Sequence, residues 1–253
     1  MRISFIGSGN VATHFALAMY NRGHVIDQIY SRDLSHAQYL ANRVEAEPVN
    51  SFDQLRRTSN IYILAVTDDA LYDVVLDLRL DNALVLHTSG SVPIKVLKKT
   101  SSRYGVIWSP QSFVRDVAIE YNQLPFCIEG SDEKTEEDIA EFIGMISPHI
   151  YHTTFQQRQY LHLSSVFVNN FTNALYAVAQ QLCKKHKTDF EILYPLILTT
   201  AKRVQWGDVK YQLTGPAVRG DEKTLNAQRK LLAKDPTLLS LYNELTDILQ
   251  NLK

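Results

Sequence analysis

Gly7-Ser8-Gly9-Asn10-Val11-Ala12 is a Gly-x-Gly-x-x-Ala turn, and the residues around it decide what it can do. Ile3, Phe5 and Ile6 ahead of it have strand character, while Val11, Phe15, Ala16 and Met19 behind it recur at helical spacing. A strand that turns into a helix through these residues suits a phosphate. The first glycine permits the tight turn, the second lets a backbone approach a pyrophosphate, and Ala12 is small enough for the helix to pack on its strand. The unpaired N–H groups and positive dipole end of that helix then face the anion. The turn therefore predicts a dinucleotide cofactor held by Gly7, Ser8, Gly9, Asn10 and Val11.

In folds that use this turn, an acidic residue about 20 residues further on, at the end of the second strand, bonds the ribose hydroxyls of NAD. Here that strand ends Ile29-Tyr30-Ser31-Arg32, with Asp27 too early and Asp33 already entering the next helix. A hydroxyl followed by a permanently charged planar guanidinium suits a 2′-phosphate instead. Ser31 and Arg32 thus favour NADP(H).

A second chemical candidate lies on a long helix expected from Gln156 to about Lys184. At about 100° per residue, one face carries Arg158, His162, Ser165, Asn169, Asn173 and Tyr176, and the opposite face carries Phe167, Val168, Phe171, Leu175, Val178 and Leu182. Exposed helix faces are normally rich in Lys and Glu, so a stripe of amides, hydroxyls and an imidazole suggests a second covered surface. His162 is the candidate proton donor, because imidazole alone titrates near neutrality unperturbed. Asn169 and Asn173 could orient a carbonyl or amide without adding charge. Hydride transfer asks for no protein nucleophile, since the cofactor does the redox step. Further on, Gly215-Pro216 marks a turn and Asp221 can cap a helix, which holds Arg219 between two constraints as a candidate for an anionic substrate group.

The elements that must position these residues alternate. Strand-like runs at Val25–Tyr30, Ile61–Val66, Ala83–Leu86, Gly105–Trp108 and Phe126–Ile128 are interleaved with helices at Ser31–Val44 and after Thr67-Asp68-Asp69, whose side chains suit a helix cap. This implies an α/β fold with an N-terminal doubly wound parallel sheet of Rossmann type. Such a sheet binds ligands beyond its carboxyl strand ends. That adds Val66, Thr67, Asp68, His87, Thr88 and Ser89 to the cofactor candidates. From about Thr154 only helical patterns occur, at Gln156–Lys184, Asp189–Trp206, Asp221–Ala233 and Pro236–Asn251. Two domains are therefore expected, a cofactor domain over 1–153 and an all-α C-terminal domain over 154–253.

Composition bounds the function. With 26 basic and 27 acidic residues, a net charge of −1 and no dense basic run, nothing favours a nucleic-acid partner. Cys127 and Cys183 are too few for a disulfide framework or a cysteine metal site, which points to no bound metal and a reducing cytoplasm. The least charged stretch, Gln159–Cys183, falls short of the roughly 20 apolar residues of a membrane span because His162, three asparagines and two glutamines interrupt it.

Several segments together resemble a family of Rossmann-like NADP oxidoreductases whose helical C-terminal domain has no known function. They are the glycine turn, His87-Thr88-Ser89-Gly90-Ser91, Pro110-Gln111-Ser112-Phe113, Leu161-His162 with Asn169-Asn170-Phe171, and Leu213-Thr214-Gly215-Pro216 through Arg219-Gly220-Asp221. More remotely the chain resembles pyrroline-5-carboxylate reductase, 6-phosphogluconate dehydrogenase and deazaflavin-dependent NADP reductases. That kinship implies a site between domains and a homodimer formed through the helical domain. The chain also departs from its relatives. Many family members have a His before Pro where this chain has Trp108-Ser109, so a role resting on that His has no bearer here. The Lys-x-x-x-Asn pair of β-hydroxyacid dehydrogenases is missing, and no Tyr precedes a Lys by four as in short-chain dehydrogenases. The expected function is NADP(H)-dependent hydride transfer to or from a small polar carbonyl, imine or hydroxy acid in an interdomain cleft. The alternative is a non-catalytic NADP(H)-binding sensor or assembly module.

Overall fold

Strand β1 (Arg2–Ile6) alternates its side chains between the two faces of a sheet, and both faces are covered. Ile3 and Phe5 pack with Phe15 and Met19 of helix α1 (Asn10–Asn21), and Ile6 packs with Leu71 and Val75 of α3 (Asp68–Asp77). Phe5, Phe15 and Met19 are at most 1% exposed, and each such side chain contributes about 1.5–3 kcal/mol by leaving water. Strand β4 (Ile61–Leu64) is buried at every position, which accounts for its unbroken apolar run. The computed structural model describes residues 1–252.

The sheet has eight strands in the order β3-β2-β1-β4-β5-β6-β7-β8. Its remaining members are β2 (Val25–Tyr30), β3 (Glu47–Val49), β5 (Leu84–His87), β6 (Arg103–Trp108), β7 (Phe126–Gly130) and β8 (Ile150–His152). The α/β reading and the Rossmann-type order hold, with one correction to an all-parallel sheet: β7 runs antiparallel to β6. The physical reason lies in the connection. Parallel neighbours need a crossover, usually a helix, and the only helical piece between these two strands is the single turn Tyr121–Gln123. Helix α2 is Leu34–Ala41, shorter at both ends than expected, because Asp33 caps it by accepting the Ser35 N–H. Helix α4 (Glu133–Gly144) and the short edge strands β3 and β8 lie outside the expected elements.

The chain divides into two compact units, Met1–Ala174 and a second that begins at Leu175. The last strand ends at His152, and α5 (Phe155–Ser165) starts from a capping box in which Thr154 and Gln157 satisfy each other's N–H groups. A π-helical turn, Val166–Phe171, joins α5 to α6 (Thr172–Lys185).

The second unit is helical throughout its described residues. Asp189 caps a 3₁₀ turn, so α7 is only Tyr194–Arg203. Gly215 (φ +106°) and Gly220 (φ +70°, left-handed) bracket α8 (Pro216–Arg219). Asp221 and Asp235 cap α9 (Glu222–Leu232) and α10 (Pro236–Asn251), and Arg229 and Tyr242 hydrogen-bond these two helices together through Asn243 and Gln228.

Candidate active site

The carboxyl ends of β1, β2 and β4 open onto a groove of about 740 Å³. Of the expected cofactor residues, Gly7, Ser8, Gly9, Asn10, Val11, Ser31, Arg32, Val66, Thr67 and Thr88 line it. The turn is built as its chemistry requires. Gly7 has φ +114°, and a Cβ there would stand 2.2 Å from the Ala65 carbonyl oxygen, so the fold itself demands glycine. A Cβ on Gly9 would meet no protein atom within 4 Å. The space over Gly9 thus belongs to the groove, a cradle that a side chain would fill. No side chain caps the N-terminus of α1 and its first turn holds no acid, which leaves its N–H groups and dipole free for an anion.

At the far end of the groove Arg32 is exposed and has no hydrogen-bond or ion-pair partner among the described residues. His36 stands on the same wall, while α3 supplies Asp73 and Asp77. Tyr30 and Phe52 stack at 4.3 Å between centroids, 17° from coplanar, and present a flat apolar surface. Asp27 is consumed elsewhere: it is buried and paired with Arg2 at 2.5 Å and Arg56 at 3.1 Å. These features fit a dinucleotide with a charged ribose substituent.

Three expected cofactor residues do not line the groove, and a fourth reaches it by a different route. Asp68 accepts the Ser91 hydroxyl proton at the start of α3. Ser89 is spent on a local turn, its hydroxyl oxygen accepting the N–H groups of Ser91 and Val92 at 3.1 Å each. His87 is 0% exposed, with Nδ1 accepting the Ser89 N–H and Nε2 unpartnered. Burial, seconded by the Arg158 charge, pushes its pKa down to about 3, so it is a neutral core imidazole. Thr67 occupies the N-cap of α3, makes no side-chain cap bond and lines the groove.

A strap between β6 and β7 crosses the rim. Asn10 Nδ2 donates to the Phe113 carbonyl at 2.9 Å, and Arg115 Nη2 donates to the Ser8 carbonyl at 3.1 Å. His14 Nε2 faces the Val114 carbonyl at 2.8 Å and must carry the proton, so Nδ1 accepts from the Tyr121 hydroxyl at 3.0 Å. The Asn10 amide is therefore occupied by protein, although its residue borders the groove.

A second cavity of about 320 Å³ lies under this strap, lined by Trp108 through Ser112 and by His162, Ser165, Val168, Asn169 and Asn170. Gln111 borders both cavities. The His162 ring meets Trp108 edge-on at 5.8 Å between centroids, and Gly90 lies against both. The Ser109 hydroxyl is buried without a partner. His162 is the sole titratable side chain in this lining.

The structure treats the two ends of the helix stripe differently. Arg158 lies on a covered surface: it is 0% exposed, pairs with Glu129 at 2.6 Å and donates to the Val92 carbonyl at 3.0 Å, pinning α5 one turn before His162. Beyond Ser165 the π turn accommodates more residues per turn and rotates the residues after it about the helix axis. Val168, Asn169 and Asn170 consequently share the cavity wall, and Asn173 does not line it. Asn173 instead donates its amide to the Asn169 side-chain oxygen at 3.1 Å. Arg219 sits in the second unit at the end of α8, exposed. Gln111, Trp108 and Asn170 were missed because they do not follow the helical stripe; the signal for Gln111 was the Pro110-Gln111-Ser112-Phe113 segment.

A glycine turn at the carboxyl edge of a doubly wound sheet, beside a polar cavity with one imidazole, is the architecture of a dinucleotide-binding fold. Residues 2–89 match the NADP oxidoreductase, coenzyme F420-dependent family, and residues 124–248 match a domain of unknown function, DUF2520. The chain belongs to the NADP oxidoreductase family that joins these two domains. A protein from Bacteroides fragilis provisionally described as an NADP oxidoreductase is 34% identical, over 99% of this chain and 98% of its own, with a TM-score of 0.91. Two more distant structures share the fold. The 1-pyrroline-5-carboxylate reductase of Streptococcus pyogenes is 12% identical over 99% and 98% of the two chains, with a TM-score of 0.64. The imine reductase of Myxococcus stipitatus, solved with NADP+, is 13% identical over 99% and 93%, with a TM-score of 0.65. A comparison with curated proteins gave no match.

Proposed function

We propose that this protein is an NADP(H)-dependent oxidoreductase acting on a small polar carbonyl, imine or hydroxy acid. The observation that carries the reading is the shared wall: the cavity that holds His162 meets the cofactor groove at Gln111. When bound, the nicotinamide supplies or accepts a hydride. In the reductive direction the carbonyl carbon or imine carbon gains that hydride, and the oxygen or nitrogen gains a proton; oxidation is the reverse. His162 Nδ1 or Nε2 would give or take that proton, a reading supported by its being the one imidazole in a wall that holds no carboxylate, amine or thiol. Asn169, held by Asn173, and Asn170 orient the polar end of the substrate. Backbone N–H groups of the glycine turn hold the pyrophosphate, and Ser31 and Arg32 hold the 2′-phosphate. Arg219 remains the candidate for an anionic substrate group.

We also propose a homodimer through the helical unit. Among the described residues after Leu175, the only buried apolar side chains are Ala217 and Leu225, while Trp206, Tyr211 and Leu231 are 71%, 83% and 83% exposed. A unit that buries so little of its own apolar surface has most to gain from a second copy of the same helices.

The test is a panel of small carbonyls, imines and hydroxy acids monitored by NADPH absorbance, with cofactor binding measured separately by fluorescence. Turnover of at least one compound that disappears in His162→Ala supports the proposal. Tight NADPH binding with no turnover on any compound would instead favour the binding module.

A further inference from the structure

The amino ends of β4, β5 and β6 hold a separate cavity of about 360 Å³. Its wall gathers three arginines from three stretches of chain: Arg57 ahead of β4, Arg79 after α3, and Arg103, the first residue of β6. Thr58, Ser59, Asn60, Asp81 and Asn82 complete the polar lining, and Asp81 is its single carboxylate.

The guanidinium groups are only partly engaged by protein. Arg57 has no hydrogen-bond or ion-pair partner among the described residues. Arg79 commits Nη1 to the carbonyls of Val75 and Leu78, at 3.2 and 2.8 Å, which fixes its stem and leaves Nε and Nη2. Arg103 commits Nη2 to Asp138 at 2.7 Å, but that carboxylate also serves Lys134 at 2.9 Å. One carboxylate shared by two cations does not neutralise both. Three permanently charged side chains on one wall with a single carboxylate leave the concavity positive, and a multiply charged oxyanion would complement that charge while filling the unused donors. The volume lies at the small-ligand end of the range for binding pockets, about 300–1,000 Å³.

We propose that this cavity binds a compact oxyanion of charge two or more, a phosphate- or carboxylate-bearing small metabolite. The site is distinct from the cofactor groove. The four residues of β4 separate the two, about 13 Å at ~3.3 Å per residue, and the two linings share no residue.

Calorimetric titration of the full chain at low ionic strength, with the cofactor groove first filled by saturating NADPH and with inorganic pyrophosphate and citrate as probes, tests this. One-to-one binding of either probe is expected; the tighter of the two identifies the oxyanion class. Arg57→Ser should weaken it about tenfold, the loss expected for a charged hydrogen-bond donor. Because Arg57 makes no bond to protein, its far-ultraviolet circular dichroism should match that of the parent. Arg32→Ala, in the other groove, should leave binding unchanged. Binding of neither probe, binding that survives the double variant Arg57→Ser/Arg79→Ser, or binding lost in Arg32→Ala would each overturn the proposal.

Discussion

Arg32 and His162 carry separable duties, and single substitutions distinguish them. Arg32 has no protein partner and lines the groove, so Arg32→Ala should weaken NADPH by about 1.5–3 kcal/mol, the cost of a charged hydrogen bond, and leave NADH almost untouched. Equal weakening of both cofactors in a binding titration would reject the 2′-phosphate role. His162→Ala should cut turnover by about 10²–10⁴, the range for a positioned acid or base, with little change in NADPH affinity. His87 serves stability instead. Its pKa is held at about 3 against the ordinary 6.5, chiefly by burial and then by the Arg158 charge. The unfolded chain therefore binds a proton at His87 between pH 6.5 and about 3 that the folded chain refuses. Stability is full above that window and falls as pH drops through it, by up to roughly 1.4 kcal/mol per unit. His87→Asn keeps an acceptor for the Ser89 N–H and should flatten that slope in denaturant titrations at stepped pH.

At the scale of elements, the junction of β5, β6 and α5 sets the geometry around His162. A Cβ on Gly90 would lie 2.7 Å from Trp108 Cε2 and 3.0 Å from His162 Cδ2. Gly90→Ala should therefore displace both rings, cost about 1–3 kcal/mol by overpacking, and alter the near-ultraviolet tryptophan signal. An unchanged spectrum and melting temperature would show that the contact yields freely. Much of this architecture was legible in advance. The Gly7 turn, the apolar run Ile61–Val66, the cap at Asp221 and the helix from Pro236 are local signals that tertiary packing left largely intact. Helix α4 was not expected, because its charge-rich start masks the apolar face of Ile139, Phe142 and Ile143 that follows the Asp132 cap. The direction of β7 was not, since it depends on a long connection without a crossover helix. The π turn was not either: a periodicity of about 100° per residue assumes one hydrogen-bond pattern throughout, and the wider turn at Val166–Phe171 separates Asn173 from the wall that Asn169 lines. Asn10 and Ser89 belonged to a recognisable site, but which hydrogen bonds each side chain makes was decided by segments distant in sequence.

For the whole molecule, the exposed apolar side chains of the helical unit predict that light scattering will return twice the chain mass at micromolar concentration. Leu231→Glu, at a position 83% exposed in the single chain, should leave the monomer folded while halving that mass if the position lies in the interface. A monomeric parent would remove the dimer altogether. The strap between β6 and β7 has a consequence of another kind. Its backbone and side chains are already tied to Asn10, His14 and Ser8 before any ligand arrives. A rim ordered in advance has little conformational entropy left to surrender, so cofactor association should be fast, with a modest heat-capacity change and amide exchange in the strap already slow in the free protein.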